Sequence, residues 1–273
     1  MDWLHKLAKI DRRIIFVVLV IAVAIPIFFP LNLPVSETKE VRGVYDVIDK
    51  LSPGSAVMIA FDYEPAATPE LDPMAIAILR HCFSRNLRVI ATTLYTSGSG
   101  IAERLLTQVG KEYGKVKGKD YVHLGYKAGG YAVVIGLGTD LQKTFPKDYY
   151  GESIDNLEVL KGIKSLKDIV YLIVLHDDST VFTWIIYGYE RYGIKIGAGC
   201  TAVMAPGNYP SLQAKQITGI IGGLKGASEY EKLVGYRGNG AAGMDSQSVI
   251  HIFIIGLIVF GNIIYFALRR KKK

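Results

Sequence analysis

Ile169-Val-Tyr-Leu-Ile-Val-Leu175 runs straight into His176-Asp-Asp-Ser-Thr180. An almost unbroken apolar run of this length reads as a strand buried on both faces. The polar turn after it ends in two hydroxyl side chains, Ser179 and Thr180, that suit a helix cap. The stretch therefore predicts a strand that feeds a helix across an acidic turn.

Related patterns lie on both sides of it. Upstream, Val41, Val44, Tyr45, Ile48 and Leu51 repeat at helical spacing until Ser52-Pro-Gly54 stops them. Residues 56–61 then read as a strand, 62–65 as its turn, and Asp72-Pro73 as the cap and first residue of a helix that stops at Asn86. Residues 88–95 form a second expected strand, and Thr96-Ser-Gly-Ser-Gly100 turns into a helix that ends by Gly114. A third strand is expected over 121–126, 131–138 fits either a short strand or a helix, and 145–168 reads as an irregular excursion around one short helix. Downstream, the pattern predicts a helix over about 179–192, a strand over 194–204, a helix from Pro210 past Leu224, and a flexible Gly-rich linker over 235–243.

Strand and helix in alternation mark a parallel sheet with right-handed crossovers. The pattern resembles Rossmann-like and periplasmic binding-type domains in architecture. That resemblance implies an α/β fold, a mostly parallel sheet with helices on both faces, and leaves function open.

Half of the 273 residues are hydrophobic, which is too apolar for an ordinary soluble domain. Residues 14–33 and 248–268 explain the excess, since neither holds Asp, Glu, Lys or Arg and each is close to the roughly 20 residues that cross a bilayer. Two transmembrane helices are therefore expected to flank the α/β domain of residues 34–247. The net charge of +7 has the same origin: residues 1–13 contribute +2 and residues 269–273 contribute +5, leaving 23 basic and 23 acidic residues in the domain. A nucleic-acid surface is not implied.

Basic residues just outside both apolar segments predict cytoplasmic termini and an extracytoplasmic domain. Ala22-Val-Ala24 has the small-x-small form of a signal cleavage site, but the apolar residues that follow favour an uncleaved signal anchor. Trp3, Leu4, Leu7 and Ile10 give residues 1–13 an amphipathic, interfacial character. Cys82 and Cys200 sit in apolar settings and read as buried thiols.

Ligands of open α/β sheets bind outside the carboxyl ends of the strands. Here that rim collects Asp62, Tyr63 and Glu64, residues 96–100, His176, Asp177 and Asp178, and residues 206–209. No resident cofactor is implied, although Asp62, Glu64, His176 and Asp177 or Asp178 would suit a divalent metal or a general acid and base if they met. Ser97 and Ser99 lie in a turn that could hold an anion at a helix start. The chain has no dinucleotide fingerprint, P-loop or G-x-S-x-G elbow.

Gly219, Gly222, Gly223 and Gly226 fall at i, i+3, i+4 and i+7, and on one helix they would form a small face at about 1 kcal/mol per glycine. Such a face would pack on the sheet or on a neighbouring subunit. In the second apolar segment, Asn262 is deep enough to seek a partner helix, whereas His251 fits the interface. These features lead to a non-enzymatic assembly or accessory subunit of a membrane complex, partnered by the bilayer and by a second copy or another membrane protein. A small-molecule or anion-binding domain using the rim is the alternative, and a metal-dependent hydrolase the third reading.

Overall fold

The computed structural model describes residues 11–29, 31 and 33–270; the amphipathic segment around Trp3, Leu4, Leu7 and Ile10, and the basic residues 271–273, lie outside the described residues. The chain forms two compact units, Val35–Gly240 and the paired terminal segments Met1–Pro34 and Ala241–Lys273.

In the terminal unit, α1 (Arg12–Phe28) contains Pro26 and spans 17 residues. α11 (Asn239–Arg270) is, among the described residues, the one helix long and apolar enough to cross a membrane. The buried Asp245 accepts the N–H groups of Leu31 and Leu33 at 3.1 and 3.4 Å, so a carboxylate on α11 holds the chain that follows α1.

The larger unit is built on six parallel strands in the order β3-β2-β1-β4-β5-β6. They are β1 (Ala56–Asp62), β2 (Arg88–Thr93), β3 (Tyr121–Tyr126), β4 (Tyr171–His176), β5 (Ile196–Cys200) and β6 (Ile220–Gly222). Every residue of β1, β4 and β5 is buried, because helices cover both faces of the sheet. On one side α2 (Lys39–Asp49), α3 (Thr68–Ser84), α4 (Thr96–Glu112) and α10 (Gly223–Leu233) meet Ile59, Phe61, Ile173 and Leu175. On the other, α5 (Tyr131–Thr139), α6 (Leu141–Thr144), α7 (Thr180–Trp184) and α9 (Ala205–Gln213) meet Met58, Ala60, Leu172 and Val174. The two residue sets alternate along each strand, as the pleat requires. A π-helical turn (Ile185–Tyr189) and α8 (Glu190–Tyr192) continue α7.

Several expectations are corrected. Asp72 is not a cap: α3 begins at Thr68, with Pro69 in its first turn and Pro73 inside it. Asp72 instead accepts from Tyr63 Oη at 2.9 Å and pairs with Arg104. Of the two readings of 131–138 the helix is the one found, and the 145–168 excursion holds three 3-10 turns in place of one short helix, with Ile154, Leu160 and Leu166 from the turns and Leu157 between two of them covering the sheet.

The expected helix from Pro210 past Leu224 is three elements, α9, β6 and α10, so the four glycines do not share a helical face. Gly219 precedes β6, Gly222 ends it, Gly223 starts α10 at φ +57°, and Gly226 lies on the Ile221 backbone. A β-carbon on Gly219 would sit 2.2 Å from the Glu40 carbonyl oxygen, and one on Gly43 would sit 2.2 Å from that of Thr218. These two glycines let α2 press backbone to backbone on the approach to β6. The linker expected over 235–243 is also largely helix, since α11 starts at Asn239. Its start is fixed by Glu231, whose carboxylate accepts the Gly238 and Gly240 N–H groups at 3.0 and 2.9 Å.

The buried His81 stacks on Tyr45 with ring centres 4.5 Å apart and places Nδ1 2.9 Å from Tyr230 Oη. Burial pushes its pKa down to about 4, and Asp49, 3.5 Å from Nε2, opposes the shift only in part. The unfolded chain binds this proton first, near pH 6.5. Stability should therefore fall as the pH drops from about 6.5 towards 4, by about 3 kcal/mol in all. Urea denaturation of the full chain in detergent at pH 7.5 and 4.5 checks this, and His81→Gln should remove that part of the pH dependence.

Candidate functional site

The strand order reverses between β1 and β4, so this is the point where the crossovers leave on opposite faces and a crevice is expected. Asp62 closes β1, His176 closes β4, and the two are direct register partners. Asp177 and Asp178 follow His176 in the turn. The hydrogen bonds around these acids show what they do.

Asp62 is completely buried. Its Oδ1 accepts the Leu94 N–H at 2.7 Å and its Oδ2 accepts Trp184 Nε1–H at 2.7 Å. Burial drives its pKa up to about 7; the Leu94 and Trp184 hydrogen bonds oppose that shift, and the negative charge of Asp178 adds to it. Asp178 accepts the Thr180 N–H at 2.8 Å and the Tyr95 hydroxyl. Burial raises its pKa, but these donors outweigh it and leave the group below the ordinary carboxylate range. Asp177 Oδ2 accepts the Glu64 N–H at 3.0 Å, a bond that ties the β1 turn to the β4 turn across the switch point. Burial, then Asp178, raise its pKa, while the Glu64 N–H opposes them.

His176 Nδ1 lies 2.7 Å from the Asp178 carbonyl oxygen, which can only accept, so Nδ1 carries the hydrogen. Nε2 is then an acceptor and faces Asn208 Nδ2 at 3.1 Å. Both ring nitrogens are engaged, and burial keeps the ring neutral by lowering its pKa.

In this geometry the rim acids act as hydrogen-bond partners. Asp62, Asp177, Asp178 and His176 converge as hydrogen-bond partners that tie the β1, β2 and β4 turns to one another and to α7 and α9, and Glu64 joins them through its backbone while its side chain is exposed. Among the described residues no group of three or more His, Cys, Asp or Glu is disposed to hold a metal. Cys82 and Cys200 are buried free thiols, pushed up to about 12 by burial.

Ser97 and Ser99 belong to a second group, at the start of α4. A β-carbon on Gly98 would lie 2.1 Å from the Phe61 carbonyl oxygen, so this glycine lets the first turn of α4 seat against the end of β1. Tyr95 occupies the cap position without a side-chain hydrogen bond to the first turn. Ser99 Oγ is 3.1 Å from His123 Nε2, a spacing that suits a nucleophile and its base. The same nitrogen is 3.1 Å from the Ser99 carbonyl oxygen, however, so as donor to that oxygen it has no lone pair for the serine proton.

A cavity of about 560 Å³ opens beside this turn. Its walls are Thr96 and Ser99 of α4, residues 124–127 at the end of β3, and residues 144–149. Lys127 and Lys147 bring two positive charges to it, and Asp148 one carboxylate whose Oδ1 accepts the Tyr150 and Glu152 N–H groups at 2.9 and 2.8 Å. A larger cavity of about 680 Å³ lies between residues 139–142 and 154–164. None of the rim residues reaches it, and its Asp155, Asn156, Lys161 and Lys164 are exposed.

Sequence reading missed Lys127, Lys147, Asp148 and His123, because they lie on β3, just after it, and in the excursion after α6, outside the four turns expected to form the rim. It also missed the part played by Trp184, which periodicity identifies only as an apolar helix residue. Comparison of the chain with protein-family models, with curated proteins and with solved structures finds no match.

Proposed function

We propose that this is a membrane-anchored protein whose α/β domain binds a small anionic molecule at the carboxyl-end rim. The observation that carries the reading is the cavity at the start of α4. Its size falls within the roughly 300–1,000 Å³ of small-molecule sites. The first turn of a 17-residue helix without a side-chain cap presents N–H groups and the positive end of a dipole beside Lys127 and Lys147.

The anchor in this reading is a pair of spans, α11 and α1 with the apolar residues after it, and both termini are cytoplasmic. The domain's two chain ends support it. Lys232 Nζ donates to the Val35 carbonyl oxygen at 2.6 Å, Glu229 accepts the Thr38 N–H at 2.8 Å, and Glu231 holds Gly238 and Gly240. Entry and exit of the domain are thus fastened to one helix, α10, as a hairpin of spans requires.

Adding inorganic phosphate or acetate to the isotope-labelled full chain in nanodiscs should shift the backbone amide resonances of residues 96–99. Lys147→Glu should abolish the shifts without disturbing the sheet resonances. Amides that do not respond to either anion would sink the reading.

Self-assembly is a second reading, and it now depends on α11. Exposed Asn262 donates to the Ile258 carbonyl oxygen of its own helix at 2.9 Å, leaving its amide oxygen for a neighbour in the bilayer. Light scattering of the detergent-extracted protein tests it: a defined multimer that Asn262→Leu dissociates supports it, and a monomer removes it.

A further inference from the structure

We propose that Asp62 is a proton-operated latch: ionised, it holds the loop before α4 and the end of α7 together, and protonated, it releases one of them. The grip is made by two donors on different elements. Leu94 lies two residues before the first residue of α4, and Trp184 is the last residue of α7, where the π-helical turn begins. A carboxylate offers each N–H a full acceptor. A protonated carboxyl carries its own hydrogen on one oxygen and loses the negative charge that made both oxygens strong acceptors, so the N–H bond to the protonated oxygen is weakened and is the one that lets go.

The surroundings favour a proton rather than a cation. Asp62 is fully buried, and the charge that acts on it from the β4 turn is another carboxylate, Asp178. The other titratable groups of that turn and of the β2–α4 loop are His176, held neutral; Asp177, engaged by the Glu64 N–H; and Tyr95, bonded to Asp178. α7 contains no charged residue. Burial places the transition near neutral pH. Release on the Leu94 side loosens the turn whose Thr96 and Ser99 line the cavity. Release on the Trp184 side frees the π-helical turn, a form that commonly marks functional sites. The latch goes beyond the ligand reading and does not depend on it, because Trp184 itself reports the change.

The chain has two tryptophans, so Trp3→Phe leaves Trp184 as the sole tryptophan, excited selectively beyond the tyrosine absorption band. In the full-length Trp3→Phe protein, emission followed from pH 5.5 to 8.5 should show one reversible transition with a midpoint near 7. Asp178→Asn removes the like charge and should move the midpoint to lower pH, and Asp62→Asn should flatten the curve. Flat emission in the Trp3→Phe protein, an unmoved midpoint in Asp178→Asn, or a transition that survives Asp62→Asn would each overturn the proposal. If Asp62→Asn does not fold, the Asp178→Asn midpoint decides it.

Discussion

Asp62→Leu is expected to destabilise the domain by about 2–6 kcal/mol, the cost of stranding two buried donors at about 1–3 kcal/mol each. The donors are the Leu94 N–H and the Trp184 indole N–H, each 2.7 Å from the carboxylate. Leucine fills similar space, so packing loss is a minor part of the effect. Asparagine keeps one acceptor and turns an NH₂ towards the other donor, so Asp62→Asn should cost less than Asp62→Leu. The pH dependence separates charge from packing. The native pKa near 7 lies above the unfolded value near 4, so the native state holds the proton longer. Stability contributed by this group is full below pH 4 and falls as the pH rises towards 7, by about 4 kcal/mol. This slope has the opposite sign to that of His81. Urea denaturation of the full chain in detergent at several pH values should lose the Asp62 slope in Asp62→Asn and keep the His81 slope.

Gly219→Ala should cost about 3 kcal/mol, the upper end of ordinary overpacking, because the added carbon meets backbone and no flexible side chain can yield. The contacts are the Glu40 carbonyl oxygen at 2.2 Å and the Val44 nitrogen at 2.7 Å. Gly43→Ala strains the same contact from the other side, so the double variant should cost less than the two single costs added together. Gly100, in α4, has nothing within 4 Å of its missing β-carbon, and Gly100→Ala should stabilise by about 0.5–1 kcal/mol. The measurement is the denaturation midpoint of each variant. A neutral Gly219→Ala would remove the account of the glycines as internal packing and return them to the surface as a contact for a neighbour.

Local patterning in the chain by itself determined the α/β class, five of the six strands and the apolar segments, whereas whether the rim acids meet was left to the tertiary structure. Residues 171–176 had to be a buried strand because no other short element hides so many consecutive apolar side chains, and Asp62 and Glu64 had to fall at or just beyond the end of β1 because the apolar run ends there. Tertiary structure alone decided the rest. β6 has only three residues, too few for any period to show, and only its pairing with Ala198, Gly199 and Cys200 makes it a strand. Without that pairing the glycines around it fell at helical spacing by coincidence. Tertiary structure also decided what the acids do, since a carboxylate is a metal ligand, a base or a fastening according to the donors that reach it. For Asp62 those donors come from residues 32 and 122 positions away along the chain, a separation that residue type and spacing do not encode.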